Sequence, residues 1–164
     1  RIVGVDLNPA YLQVLHERFA ARLPGLELLA RDFTAKGFAI APVDLAFAAL
    51  VFEYVEPERA LRNIAACLAP DGLLVAVLQQ PSARSAPVTP TAFTSLQILG
   101  AIMALVPPER FTRICAESGL ALAQSQTVPL KQGKRFFVGY FRKSADPPPR
   151  VPPAPEAIPA ETEL

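Results

Sequence analysis

The amino-acid sequence predicts an α/β domain built on a doubly wound, mostly parallel sheet that closes with an antiparallel hairpin. Three observations carry this. Short apolar runs alternate with helical patterns along residues 1–80. Leu73–Leu78 is almost wholly apolar, as a parallel strand covered on both faces should be. Near the end, Leu120–Val128 and Arg135–Phe141 read as strands, with Gln132-Gly133-Lys134 between them.

The elements follow in order. Ile2, Val3 and Val5 form a strand that ends at Asp6. Asn8 or Asp6 can cap a helix with Pro9 in its first turn, where the missing N–H does no harm. Leu12, Leu15, Phe19 and Leu23 recur at helical spacing, which predicts an inward face. Pro24-Gly25 stops that helix. Leu26–Ala30 is the second strand, followed by Arg31-Asp32-Phe33, and Val43–Ala48 is the third. Pro57 opens a helix with Leu61, Ile64, Ala65 and Leu68 inward, and Pro70-Asp71-Gly72 signals a turn. The segment Thr91–Leu105 is apolar enough for a helix. Pro107-Pro108 opens another, with Phe111, Ile114 and Cys115 inward and Gly119 as its stop.

Composition narrows the classes of function. Apolar residues make up 51% of the chain and charged residues 19%, which suits one globular domain over residues 1–144. Residues 145–164 hold seven of the 18 prolines and almost no large apolar side chain, which predicts a disordered proline-rich tail. A net charge of +1 gives no electrostatic case for nucleic acid or an anionic membrane. The longest apolar run, Ile98–Val106, is too short to span a bilayer. Cys67 and Cys115 lack metal-type spacing and read as buried, reduced thiols, so the expectation is a cytoplasmic protein without a metal.

In a doubly wound sheet, ligands bind outside the carboxyl ends of the strands. Asp6, Asp32 and Ala48 all stand at such ends. A carboxylate at the position of Asp6 can accept hydrogen bonds from two ribose hydroxyls. The bland alternative is a helix cap. Asp32 can accept from an adenine amino group, with Phe33 against the ring and its N–H toward a ring nitrogen; the alternative is an aspartate that starts a loop. Glu53 and Tyr54 follow the rim and are weak catalytic candidates, able to touch a substrate or accept a proton. His16 lies off the apolar face of its helix. Lys131, Lys134, Arg135, Arg142 and Lys143 bracket the hairpin and read as solvated.

With "RIVGVDLNP", "LLARDF", "VDLAFAALVFEYVE" and "LAPDGLLVAV" in that order, the chain resembles the class I S-adenosylmethionine-dependent methyltransferases. The likeness covers Arg1–Lys143, with "GKRFFVGYFRK" matching the usual last strands. It implies a Rossmann-like fold, S-adenosylmethionine as cofactor and methyl transfer to a small-molecule acceptor. It places the ribose on Asp6, the adenine beside Leu7 and against Asp32 and Phe33, and the methionine part over Ala48. The Phe93, Leu96, Ile98, Leu99, Ile102 and Met103 segment would wall a partly apolar substrate pocket.

The family begins with a strand, a G-x-G-x-G loop and a helix, whereas this sequence starts at what would be the second strand. The expectation is therefore an N-terminally incomplete domain of doubtful stability. The family's first strand lies between those ending at Asp6 and starting at Val43. With strands 4.7–4.9 Å apart, its absence predicts a gap of about 10 Å or direct pairing of its neighbours. Two rival readings remain: a nicotinamide-dependent oxidoreductase, which also places an acid after its second strand, and a non-catalytic remnant serving as an interaction module. The absence of Tyr-x-x-x-Lys and the terminal hairpin favour the methyltransferase.

Overall fold

A computed structural model describes residues 1–82, 99–130 and 133–144. The proline-rich tail, Lys131, Gln132, Phe93, Leu96 and Ile98 lie outside the described residues. Ten elements follow in chain order: β1 (Ile2–Asp6), α1 (Pro9–Phe19), β2 (Leu26–Ala30), β3 (Val43–Ala49), α2 (Pro57–Cys67), β4 (Leu68–Gln79), α3 (Leu99–Ile102), α4 (Pro108–Glu117), β5 (Leu120–Pro129) and β6 (Arg135–Lys143). The strand-helix alternation is as the sequence predicts, and the fold is a mixed α/β arrangement of Rossmann-like type.

Helix starts obey local chemistry. Asn8 caps α1: its side-chain oxygen accepts from the Ala10 N–H at 3.0 Å, with Pro9 next in line. Asp6 supports that turn from outside, accepting from the Asn8 N–H at 2.7 Å. Proline also opens α2 and α4. At the end of α4, Gly119 takes φ 79°, a left-handed conformation that costs glycine nothing.

The strands form two sheets instead of one. In the first, β1 pairs parallel with β2, Ile2 opposite Leu26 through Asp6 opposite Ala30. In the second, the order is β3-β4-β6-β5, with β3–β4 parallel and the other two pairings antiparallel. The hairpin expected from Leu120 onward is the β5–β6 pair. Of the two arrangements expected for β1 and β3, the gap is the one found. A cleft of about 990 Å³ separates them. At its lower end Arg1 forms a two-pronged pair with Glu27 at 2.8 and 3.1 Å, and donates to the Ala41 carbonyl at 3.3 Å. That contact sets the start of β1 beside the segment that leads into β3.

The core lies on one face of the larger sheet. Leu74, Ala76 and Leu78 of β4 and Phe137 and Phe141 of β6 point into it. Ala60, Leu61 and Ala65 of α2 meet them there, with Phe111, Ile114 and Cys115 of α4. Phe52, Phe111 and Phe141 form a chain of edge-to-face rings, with centroids 4.7 and 5.7 Å apart. Glu58 at the start of α2 reaches Arg110 of α4 at 3.1 Å.

Several expectations need correction. β4 is not covered on both faces: Leu73, Val75 and Val77 are only half-buried, and on the same face Leu45 and Phe47 are 56% and 69% exposed. The apolar stripe of α1 is also largely open; only Leu12 is buried, while Leu15, Phe19 and Leu23 stay in contact with solvent. Periodicity marks a face that can be buried, but burial needs an opposing layer. α2 stops at Cys67, so Leu68 begins a strand instead of ending a helix. The turn expected at Pro70-Asp71-Gly72 is a bulge within β4. Val43 pairs with Leu68 and Leu45 already with Leu73, and Asp71 takes φ 59°. Arg142 and Lys143 are not simply solvated: they donate to the carbonyls of Asp71 and Leu68 at 2.9 and 2.6 Å and tie β6 to that bulge. Of the apolar segment 91–105, the described helix is α3 alone.

Gly139 shows how tightly β6 is built in. A Cβ there would meet the Phe141 ring most closely and stand 2.8 Å from the Phe137 ring, both in the core. Gly139→Ala should lower stability by about 1–3 kcal/mol, as overpacking does, measured by urea denaturation.

Candidate functional site

The cleft runs along the length of β1 and β3, and its lining includes their carboxyl ends, where the sequence places ligand chemistry. Asp6, Phe33, Ala48, Ala49, Leu50 and Val51 line its upper part. Its volume, about 990 Å³, is at the large end of small-molecule sites.

Each rim residue is held by its own local structure. Asp6 ends β1 and spends Oδ1 on the Asn8 N–H. Its Oδ2 has no partner among the described residues, so a charged acceptor remains for a ligand. Phe33 packs its ring against the core, and its carbonyl accepts from Asn63 Nδ2 at 2.8 Å. Its backbone N–H has no acceptor among the described residues. Ala48 pairs with Ala76 of β4 and gives the cleft a small side chain. Just beyond, Leu50 takes φ 55° while its N–H donates to Val77 O at 2.9 Å. A leucine in the left-handed region is strained, and it turns the chain sharply at the cleft mouth. Single-sequence reasoning had no signal for it, since glycine or asparagine marks such positions.

The structure brings three of the expected cofactor residues, Asp6, Phe33 and Ala48, into one cleft. It does not bring the other two. Leu7 is 70% exposed and outside the lining. Asp32 is exposed too, and its Oδ1 accepts from both the N–H and the hydroxyl of Thr34 at 2.7 Å. Those bonds hold its carboxyl below the usual range, so it stays charged while it starts the loop.

Glu53 and Tyr54 also lie outside the cleft lining. Glu53 is 1% exposed, and its Oε1 accepts from the Gln79 N–H at 2.7 Å. Burial pushes its carboxyl up, partly offset by that hydrogen bond. The Tyr54 hydroxyl is pushed up by partial burial and then by Glu53. His16 is exposed on α1. Cys67 and Cys115 are unpaired and buried, and burial pushes the Cys115 thiol far up. Among the described residues no group of His, Cys, Asp or Glu could hold a metal ion. No helix among them is long and apolar enough to cross a membrane.

These residues suit S-adenosylmethionine in two respects: Asp6 offers an unused carboxylate oxygen for paired hydroxyls, and Phe33 offers an aromatic ring with a spare N–H. The described lining contains no glycine, so it contributes no close-approach backbone of the G-x-G-x-G kind.

Comparison with known proteins bears on the fold. Residues 1–76 match the model of a methyltransferase-domain family. The N-methyltransferase NodS from Bradyrhizobium japonicum WM9, in complex with S-adenosyl-L-homocysteine, superposes with a TM-score of 0.64 at 20% identity, over 87% of this chain and 66% of that one. The 1,6-didemethyltoxoflavin-N1-methyltransferase of Burkholderia thailandensis, with 1,6-didemethyltoxoflavin and S-adenosylhomocysteine bound, also gives 0.64, at 19% identity over 88% and 61%. The [4+2]-cyclase SpnF gives 0.69 at 12% identity over 89% and 67%. The chain thus spans 61 to 67% of the length of these three proteins. No curated protein matches it in sequence. Residues 1–76 thus match a methyltransferase-domain family, and the fold is that of solved methyltransferases whose structures hold S-adenosylhomocysteine.

Proposed function

We propose that the chain takes part in methyl transfer from S-adenosylmethionine to a small-molecule acceptor. Asp6 would hold the ribose hydroxyls, Phe33 would meet the adenine edge, and Ala48 would lie under the methionine part. The observation that carries this is the placement of Asp6, Phe33 and Ala48 along one cleft, with an unused carboxylate oxygen and an unused N–H facing ligand chemistry. When bound, the cofactor supplies a methyl carbon activated by its sulfonium for in-line displacement. The residues of this chain orient it and shield it from water. Of the two candidates for acceptor contact, Tyr54 is accessible and Glu53 is buried, so Tyr54 is the one retained. The reading includes a cytoplasmic location and no nucleic-acid partner, in keeping with the net charge of +1.

A second reading is an interaction module without turnover. Calorimetric titration of S-adenosylhomocysteine separates the two. Micromolar binding is expected, weakened at least about tenfold in Asp6→Asn, since a hydrogen bond to a charged group contributes about 1.5–3 kcal/mol. Asparagine keeps an acceptor for the Asn8 N–H, so α1 stays capped. A cooperatively folded chain that does not bind would overturn the first reading and favour the second.

A further inference from the structure

A second cavity, of about 330 Å³, lies between the loop after β2 and the outer side of α2. Its lining includes Thr34, Lys36, Gly37, Arg59, Arg62 and Asn63, and shares no residue with the cofactor cleft. The cavity is built, not incidental. Asn63 on α2 donates to the carbonyls of Phe33 and Ala35 at 2.8 and 3.0 Å, which pins the loop to the helix. The loop then turns tightly, Phe38 N–H to Ala35 O at 3.1 Å, with Gly37 at φ 78°. The N–H groups of Lys36 and Gly37, the two residues inside that turn, have no acceptor among the described residues.

Three cationic side chains meet there. Arg59 pairs with Glu56 at 3.0 Å through Nε and keeps the rest of its guanidinium. Lys36 and Arg62 have no ion pair among the described residues, although Glu58 acts on Arg62 at longer range. Asp32, the acid of the loop, spends Oδ1 on Thr34. All three are exposed on one open cavity, and an anion bound there would meet charge of the opposite sign. Guanidinium forks fit oxyanions two bonds at a time, and consecutive free N–H groups in a turn add further donors.

We infer that this cavity binds a phosphate-type oxyanion. The volume exceeds what inorganic phosphate needs, so the same chemistry admits a phosphomonoester. S-adenosylmethionine carries no phosphate, so the site serves a different ligand, and its existence does not depend on methyl transfer.

The test is an amide NMR titration of the full chain at constant ionic strength, with inorganic phosphate and, separately, phenyl phosphate. The Lys36 and Gly37 amides should shift saturably. In the Lys36→Ala/Arg62→Ala double variant the apparent affinity should fall about tenfold or more, as expected for losing charge-assisted contacts. Arg113→Ala, an exposed charge removal on α4 outside the cavity, should titrate like the parent. Tighter binding of phenyl phosphate would assign the site to a phosphomonoester, and equal affinity to the phosphate group alone. Non-saturating shifts, an unchanged double variant or equal weakening by Arg113→Ala would overturn the inference. All three positions are exposed, so the variants should fold as the parent does.

Discussion

Phe111→Ala should lower the free energy of unfolding by about 3–5 kcal/mol, the range for removing a large aromatic ring from a core. Phe111 is completely buried on α4 and stands between Phe52 and Phe141, whose rings meet it edge-to-face at 4.7 and 5.7 Å. It joins three separate parts of the chain: the loop after β3, the helix α4 and the last strand β6. Alanine would leave a cavity where those parts converge, and would also remove two aromatic pairs of about 0.5–1.5 kcal/mol each. Domains of this kind are stable by only about 5–15 kcal/mol, so the loss is a large share of the whole. Denaturation in urea would measure it, with Phe111→Leu as a milder companion. A loss below about 1 kcal/mol would mean that α4 does not pack on the sheet as described.

Glu53→Gln should make the chain more stable at pH 8 and leave it unchanged near pH 4. The Glu53 carboxyl is buried behind the end of β4; Oε1 takes the Gln79 N–H, and Oε2 has no partner among the described residues. Its backbone carbonyl also accepts from Ala104 at 2.8 Å, so the residue joins the loop after β3 to the segment before α4. Burial raises the folded-state pKa, which means that the native state holds this proton more tightly than the unfolded chain does. Its contribution is therefore fully present below the ordinary glutamate range of about 4.3, and is lost as the pH rises through the folded-state value. Glutamine stays neutral and still offers an oxygen to Gln79. A gain at pH 8 is expected because glutamine carries no charge to be desolvated there. Thermal unfolding of both proteins from pH 4 to pH 8 would show the difference growing with pH. A constant difference would mean that Glu53 keeps the same charge over that range.

Much of the architecture was legible in local chemistry. Asn8-Pro9, Pro57 and Pro107-Pro108 announce helix starts because capping and the proline ring act within one turn of chain. Leu26–Ala30 and the two hairpin strands are readable from apolar runs bounded by turn residues. Asp6 and Phe33 could be placed on the carboxyl rim of the sheet because a strand that leads into a helix or loop delivers its last residues there.

What sequence patterns left open concerns partners distant along the chain. Leu15 and Phe19 have the spacing of a buried face, yet they remain in solvent because no described layer lies against them. Leu73, Val75 and Val77 were read as covered, but among the described residues helices pack against the other face of β4. Asp32 and Asp6 look alike in sequence. They part in three dimensions, where Thr34 turns Asp32 back into its own loop and the cleft receives Asp6. Glu53 reads as a rim residue, and packing against Gln79 and Ala104 buries it away from the cleft. The basic cavity brings Lys36 together with Arg59 and Arg62 because Asn63 binds the loop to α2, a contact between residues about thirty positions apart. Helix caps, strand alternation and turn residues are energies decided among near neighbours, so one sequence suffices to read them. Which apolar face is covered, which carboxylate keeps its charge in water and which cations share a cavity depend on layers that meet only when the chain has folded.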